Sequence, residues 1–284
     1  MYSENEPLRP EDYIEPRCVL CDEPYGVQAA VKPIPQQRII AKMDEYMSRR
    51  DYTGAERHLC YWLEEAKLGG DLRGELFVHG ELIGHYRKTG DRENALEHIG
   101  EALSLIKKLE FEKTISAGTT YINAATALSA FGENEKALPL FESAREIYES
   151  APKTSPDLLG GLYNNMALCC AALSRFEDCM SLYQKALDTM RTVPGGELER
   201  AITYLNMANA KEAQLGLEAA ESFIFDYLDK AADLLDETDA PRDGYYAFVC
   251  EKCAPTFSYY GYFAEAKDLQ GRAEEIYGRN NERT

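Results

Sequence analysis

A short turn motif returns along this chain at 42-residue steps. Gly90-Asp91-Arg92-Glu93-Asn94-Ala95 is echoed by Gly132-Glu133-Asn134-Glu135-Lys136-Ala137, and again by Ser174-Arg175-Phe176-Glu177-Asp178-Cys179. A second small residue follows seven positions after the last of each: Ala102, Ala144 and Ala186. Upstream, Tyr121, Tyr163 and Tyr204 each open a Tyr-x-Asn-(Ala/Met)-Ala element, at steps of 42 and 41. A unit of that length cannot bury a core alone. It must stack on copies of itself, and this removes most folds from consideration.

The residue types predict a helix–turn–helix unit. Helix A runs from about the Tyr-x-Asn element to just before the glycine. The glycine closes it in a left-handed cap, where the absence of a Cβ removes the strain. Acidic residues after the turn suit the first turn of helix B. Alanine at the recurring steps lets A and B approach closely. Leu96, Ile99, Leu103 and Ile106 recur at helical spacing and form one buried stripe. Ala151 to Asp157 and Val193 to Glu197 read as turns bearing proline or glycine between units.

Two stretches, Tyr163-Asn164-Asn165-Met166-Ala167 and Tyr183-Gln184-Lys185-Ala186-Leu187, resemble the tetratricopeptide repeat, in the longer form of ~42 residues found in kinesin-light-chain-like repeats. The likeness covers roughly residues 36–278. It implies an all-α, right-handed superhelical solenoid of about six repeats and about twelve helices, with the repeat domain spanning 36–284. The first repeat holds Arg50-Asp51-Tyr52 and Ala55 but carries Trp62 where a small residue is expected. The fifth begins at Tyr204 and is read with a longer turn before Phe223 to Ala231. The sixth holds Gly261-Tyr262-Phe263, Ala266 and Ala273. Residues 1–35 carry six prolines and no helical period, and are read as an extended N-terminal arm.

Charge narrows the partners. Against 31 basic residues stand 49 acidic ones, a net −18 over 284 residues. Such a surface repels nucleic-acid phosphates and anionic membranes, so neither is expected as a partner, and it favours basic partners. No run approaches the ~20 apolar residues that span a bilayer, and residues 1–10 show no apolar targeting core. A cytoplasmic protein is expected, with most of its eight cysteines as free thiols.

Chemistry has little to stand on. The four histidines are His58, His79, His85 and His98, and no metalloprotease, nucleophile-elbow or phosphate-loop motif occurs. No enzyme activity and no cofactor are expected. Two CxxC pairs, Cys18/Cys21 and Cys250/Cys253, could together supply four thiolates to zinc. Yet 228 residues lie between Cys21 and Cys250, and Cys250 and Cys253 align with the Tyr and Met of the Tyr-x-Asn-Met-Ala element. The alternative is two small buried side chains one turn apart. An arm of about fifteen residues reaches at most ~50 Å, comparable with six repeats at ~10 Å per helix layer. A homodimer would join the two pairs more easily than one chain.

The better lead is an asparagine row. Asn123, Asn165 and Asn206 hold one equivalent position in three consecutive A helices. Helix propensity does not explain that return, and an amide offers a donor and an acceptor to an extended backbone. The resemblance implies that these three are groove residues that hold a bound peptide; Asn164 and Asn209 are read as extending the row, and Arg87, Lys88 and Lys211 as supplying positive charge near the same face. Two readings stand side by side: groove contact, or bonds between adjacent helices that shape the stack. Carboxylate clamps of chaperone-binding repeats need basic residues that are missing at Gly80, Gly84, Ile122, Thr126, Asn164 and Leu168. The functional expectation is a non-catalytic scaffold that binds a protein or peptide in its concave groove. A peptide-sensing receptor that changes superhelical pitch is the alternative, and a zinc- or redox-dependent protein is the third reading.

Overall fold

The computed structural model describes residues 31–237 and 240–281. Among these residues there are twelve helices and no strand. No described helix is long and apolar enough to cross a membrane. The chain divides into two compact units, Met1–Phe77 and Val78–Thr284. The division falls within helix α3, Leu72–Thr89. Residues 1–30, including most of the expected arm and the pair Cys18/Cys21, lie outside the described residues.

In the first unit, α1 (Gln36–Ser48) packs on α2 (Tyr52–Leu68). Arg50 takes the left-handed turn position, at φ 55°. Asp51 caps α2 by accepting from the Gly54 amide at 2.8 Å. Asp71 is buried and accepts from the amides of Gly74 and Ile34, both at 2.9 Å. These bonds tie the start of α3 back to the segment preceding α1. Ile39, Leu59 and Ala66 are fully buried between the helices. Trp62 is half-buried beside the rings of His58 and Tyr61.

The second unit repeats one design. Its helices are the rest of α3, then α4 (Arg92–Lys108), α5 (Ile115–Ala130), α6 (Asn134–Ser150), α7 (Pro156–Ala172), α8 (Phe176–Met190), α9 (Glu197–Leu215), α10 (Leu217–Glu237), α11 (Gly244–Tyr259) and α12 (Phe263–Asn281). The odd-numbered helices are the A helices and the even-numbered ones the B helices. Pairs α5–α6, α7–α8, α9–α10 and α11–α12 pack as hairpins. The expected left-handed turns are present: Gly90 at φ 80°, Gly132 at 78° and Ser174 at 58°. Ala95, Ala137 and Cys179, then Ala102, Ala144 and Ala186, are all buried at the A–B contact.

Two expectations change. Helix A begins earlier than the Tyr-x-Asn element: α5 starts at Ile115, with Thr114 capping it through the Ala117 amide at 3.2 Å. The extra turns contain Gly118 and Gly160, which look like helix breakers. Packing requires the first and makes use of the second. A Cβ on Gly118 would sit 2.5 Å from the Tyr148 ring, and one on Gly160 would sit 2.4 Å from Met190 Sδ. Nor does the fifth repeat have a long turn. Gly216 alone, at φ 82°, separates α9 from α10. It continues the 42-residue step from Ser174, and the good helix formers that follow it start the B helix at once.

Candidate peptide groove on the A helices

Successive A helices of the second unit touch: α5 packs on α7, α7 on α9 and α9 on α11. Each keeps one face that its own B helix and its neighbours cover only in part. The 42-residue register places Thr119, Asn123 and Thr126 on that face of α5. On α7 it places Leu158, Gly161, Asn165 and Leu168, and on α9 Glu199, Asn206 and Asn209, while Ile202 in the same register is buried. On α11 the same positions are Tyr245, Phe248, Lys252, Pro255 and Tyr259.

The asparagines share this register but not one role. Asn123, Asn165 and Asn206 are all half-buried. Asn206 Nδ2 donates to Asn164 Oδ1 of the preceding A helix at 3.2 Å, and Asn164 is only 8% exposed. In α5, Asn123 Nδ2 lies 3.7 Å from where a Cβ on Gly80 of α3 would stand. Asn123 and Asn206 thus lean sideways onto the helix before. Asn209 is exposed and accepts from the Tyr260 hydroxyl at 3.0 Å. Arg87 is exposed in the last turn of α3. Lys211 donates to Gln214 at 3.0 Å and lies 5.2 Å from the Phe223 ring centroid of α10. That turns it toward its own B helix. Lys88 is exposed.

The C-terminal part of this face is aromatic and acidic. Phe248 is 46% exposed and Tyr259 67%. Tyr245 and Phe248 stack with centroids 6.3 Å apart. The Tyr245 hydroxyl donates to Glu199. Glu212 receives Tyr259 at 2.8 Å and Tyr260 at 2.7 Å. Burial first, then the bond to Glu212, holds the Tyr260 phenol above its ordinary range. Burial likewise raises the Glu199 carboxyl, aided by the charge of Asp157 and opposed by Lys252. Sequence reading passed over these aromatics because apolar residues at helical spacing ordinarily form core.

A family model described as the tetratricopeptide repeat matches residues 76–150 and 158–224, together half of the chain. The chain belongs to the tetratricopeptide-repeat family. The twelve described helices accordingly form an all-α repeat solenoid. Among curated proteins the chain is similar to Protein KINESIN LIGHT CHAIN-RELATED 3 of Arabidopsis thaliana, 22% identical over 193 residues. That alignment covers 68% of this chain and 28% of the relative's length. Among solved structures it is similar to the nearly identical TPR-like repeats of a kinesin light chain from Podosopora anserina. There the TM-score is 0.48 at 17% identity, covering 71% of this chain and 94% of that one. It is also similar to BtubC (BKLC) from P. vanneervenii, with a TM-score of 0.47 at 20% identity, covering 87% and 93%.

In this tetratricopeptide array the remaining chemical candidates fall inside the core. Cys250 and Cys253 are buried in α11, as their alignment with Tyr163 and Met166 suggests. Burial pushes the Cys250 thiol up to about 11 and the Cys253 thiol to about 12, so both are protonated at neutral pH. Among the described residues no group of three or more His, Cys, Asp or Glu side chains could hold a metal ion. His79 Nδ1 and His98 Nδ1 meet at 2.8 Å between α3 and α4, with Tyr86 stacked on His98. The spacing of the histidines alone did not reveal this pairing.

Proposed function

We propose that the chain is a non-catalytic scaffold that holds an extended segment of a partner protein against the open face of its A helices. Tetratricopeptide repeats serve generally as protein-interaction scaffolds. The observation that carries the groove reading is the face itself. Half-buried amides at Asn123, Asn165 and Asn206 alternate with small residues and exposed apolar side chains on successive helices. Amides supply paired donors and acceptors to a backbone, and exposed apolar side chains supply burial. Asn164 positions Asn206, and Asn209 and Arg87 flank the row. A cytoplasmic location is part of the proposal, supported by the buried free thiols of Cys169, Cys170, Cys179, Cys250 and Cys253.

The test blocks one face at a time. Asn165→Trp fills the groove, whereas Glu97→Gln with Glu101→Gln alters the exposed surface of the B helix α4. Each tagged protein is used to capture partners from native lysate, with circular dichroism as the fold control. Captured partners should fall at least about tenfold with the groove variant and stay constant with the α4 variant, since filling a desolvated contact site costs ~1.4 kcal/mol or more. Equal capture by both folded variants would place binding elsewhere.

A further inference from the structure

The second unit carries an exposed stripe on α11 at Tyr245, Phe248, Lys252, Pro255 and Tyr259, spaced as one face of a helix. The stripe runs into a cavity of about 400 Å³ at the N-terminal ends of α7, α9 and α11. That volume is within the ordinary range of ligand sites, ~300–1,000 Å³. Asp157, Glu199 and Asp243 line the cavity together with the Tyr245 ring, and among the described residues no Lys or Arg does.

The charge there can be weighed. Three helix N-termini contribute roughly +0.5 each and favour an anion. Three carboxylates bring up to about three negative charges against this, so the lining stays net negative and favours a cation. Asp243 already accepts from the amides of Tyr245 and Tyr246 at 2.9 and 3.1 Å, which holds it in place. Lys252 acts on Glu199 from the stripe without lining the cavity. An aromatic ring at the mouth adds attraction for a cation over its face.

We propose that the C-terminal part of the groove takes a basic–apolar peptide segment of a partner protein: an Arg or Lys enters the cavity of Asp157, Glu199 and Asp243, and an apolar residue covers Phe248 and Tyr259. This rests on the groove reading above and gives it a ligand chemistry. From Tyr245 to Tyr259 the helix rises about 21 Å. An extended chain covers that in roughly six residues, so the cation and the apolar residue lie within one short segment. The amide pair Asn206–Asn164 lies one helix over. Phe248 and Tyr259 gain most from being covered, because they are large apolar groups now in water.

The probe is a positional-scanning library of synthetic dodecapeptides, followed by fluorescence anisotropy with the selected peptides, on the full chain at physiological salt. Selection should favour Arg or Lys within about six positions of an aromatic or aliphatic residue. Glu199→Gln with Asp157→Asn should weaken these peptides about tenfold or more, as expected for lost charge-assisted bonds. Glu97→Gln with Glu101→Gln removes the same formal charge on the B face and should leave affinity within about twofold. Circular dichroism confirms the fold of each variant, and Phe248→Ala serves as a second variant that leaves the acids intact and should also weaken binding. If acidic or uncharged peptides are selected and Asn165→Trp abolishes them, the groove reading stands and this inference falls. If basic peptides respond equally to both acid-removing pairs, attraction is only diffuse and the inference falls. If no peptide is retained, both readings fall.

Discussion

Replacing Asn206 by Ala removes the donor to Asn164 Oδ1, a bond of 3.2 Å. Asn164 is 8% exposed, so water cannot readily replace that donor. Stranding a buried acceptor costs about 1–3 kcal/mol. Alanine returns up to about 0.7 kcal/mol through helix propensity. The net expectation for Asn206→Ala is a loss of roughly 0.5–2.5 kcal/mol. Asn165→Ala sits at the equivalent half-buried position of α7, where Ile122 stands in place of a bonding partner. It should fall within about 0.5 kcal/mol of wild type, or gain slightly. In the double variant with Asn164→Ala, both ends of the bond disappear. The double-mutant cycle should return a coupling of about 1 kcal/mol. Urea unfolding followed by circular dichroism measures the set, with peptide-level hydrogen exchange on α7 and α9 to localise the loss, since repeat arrays need not unfold as one unit. Equal stability of the Asn206→Ala and Asn165→Ala variants, or a coupling of zero, would refute the sideways role of Asn206.

Two further outcomes follow from titration and burial. Burial foremost holds the His58 imidazole below its ordinary value, and its Nε2 has no partner among the described residues. The unfolded chain therefore takes up more protons as pH falls, and the stability this side chain contributes is present above about pH 6.5 and lost below it. The fluorescence of Trp62, the chain's only tryptophan and 6.3 Å from His58, should report earlier unfolding of the α1–α2 pair at pH 5.5 than at 7.5. His58→Gln should flatten that difference, and an unchanged pH dependence in the variant would rule His58 out as its source. Cys250 and Cys253 should resist iodoacetamide in the native state at pH 7.4 and react fully after denaturation, read by mass spectrometry. Rapid native alkylation, or a native rate raised by a chelator, would overturn the buried-thiol reading.

The turns and the small residues at the A–B contact were legible because both are local demands. A left-handed backbone at 90 and 132 calls for glycine, and close helices call for alanine wherever the period brings them together. The first turns of helix A were not legible, because Gly118 and Gly160 lower helix propensity and their justification lies on another helix, in Tyr148 and Met190. Gly216 hid for a related reason: α10 starts directly after it, so Ala220 arrives one position earlier than the pattern leads a reader to expect. The asparagine row could be located from sequence, but its sideways bond depends on the register between helices 42 residues apart. The aromatic stripe on α11 is indistinguishable from core until the surrounding helices are in place and leave it uncovered.

The contacts Gly118 to Tyr148 and Gly160 to Met190 each join an A helix to the B helix of the same hairpin. The knob and the gap it fills are therefore inherited together on one stretch of about forty residues. Duplicating or deleting such a stretch at its turns would carry both halves of the fit along, leaving only the junction with the next hairpin to be adjusted. Chain length in such a protein can change in whole steps without a redesigned interior, and a gene that encodes it can grow or shrink by recombination between its own repeats.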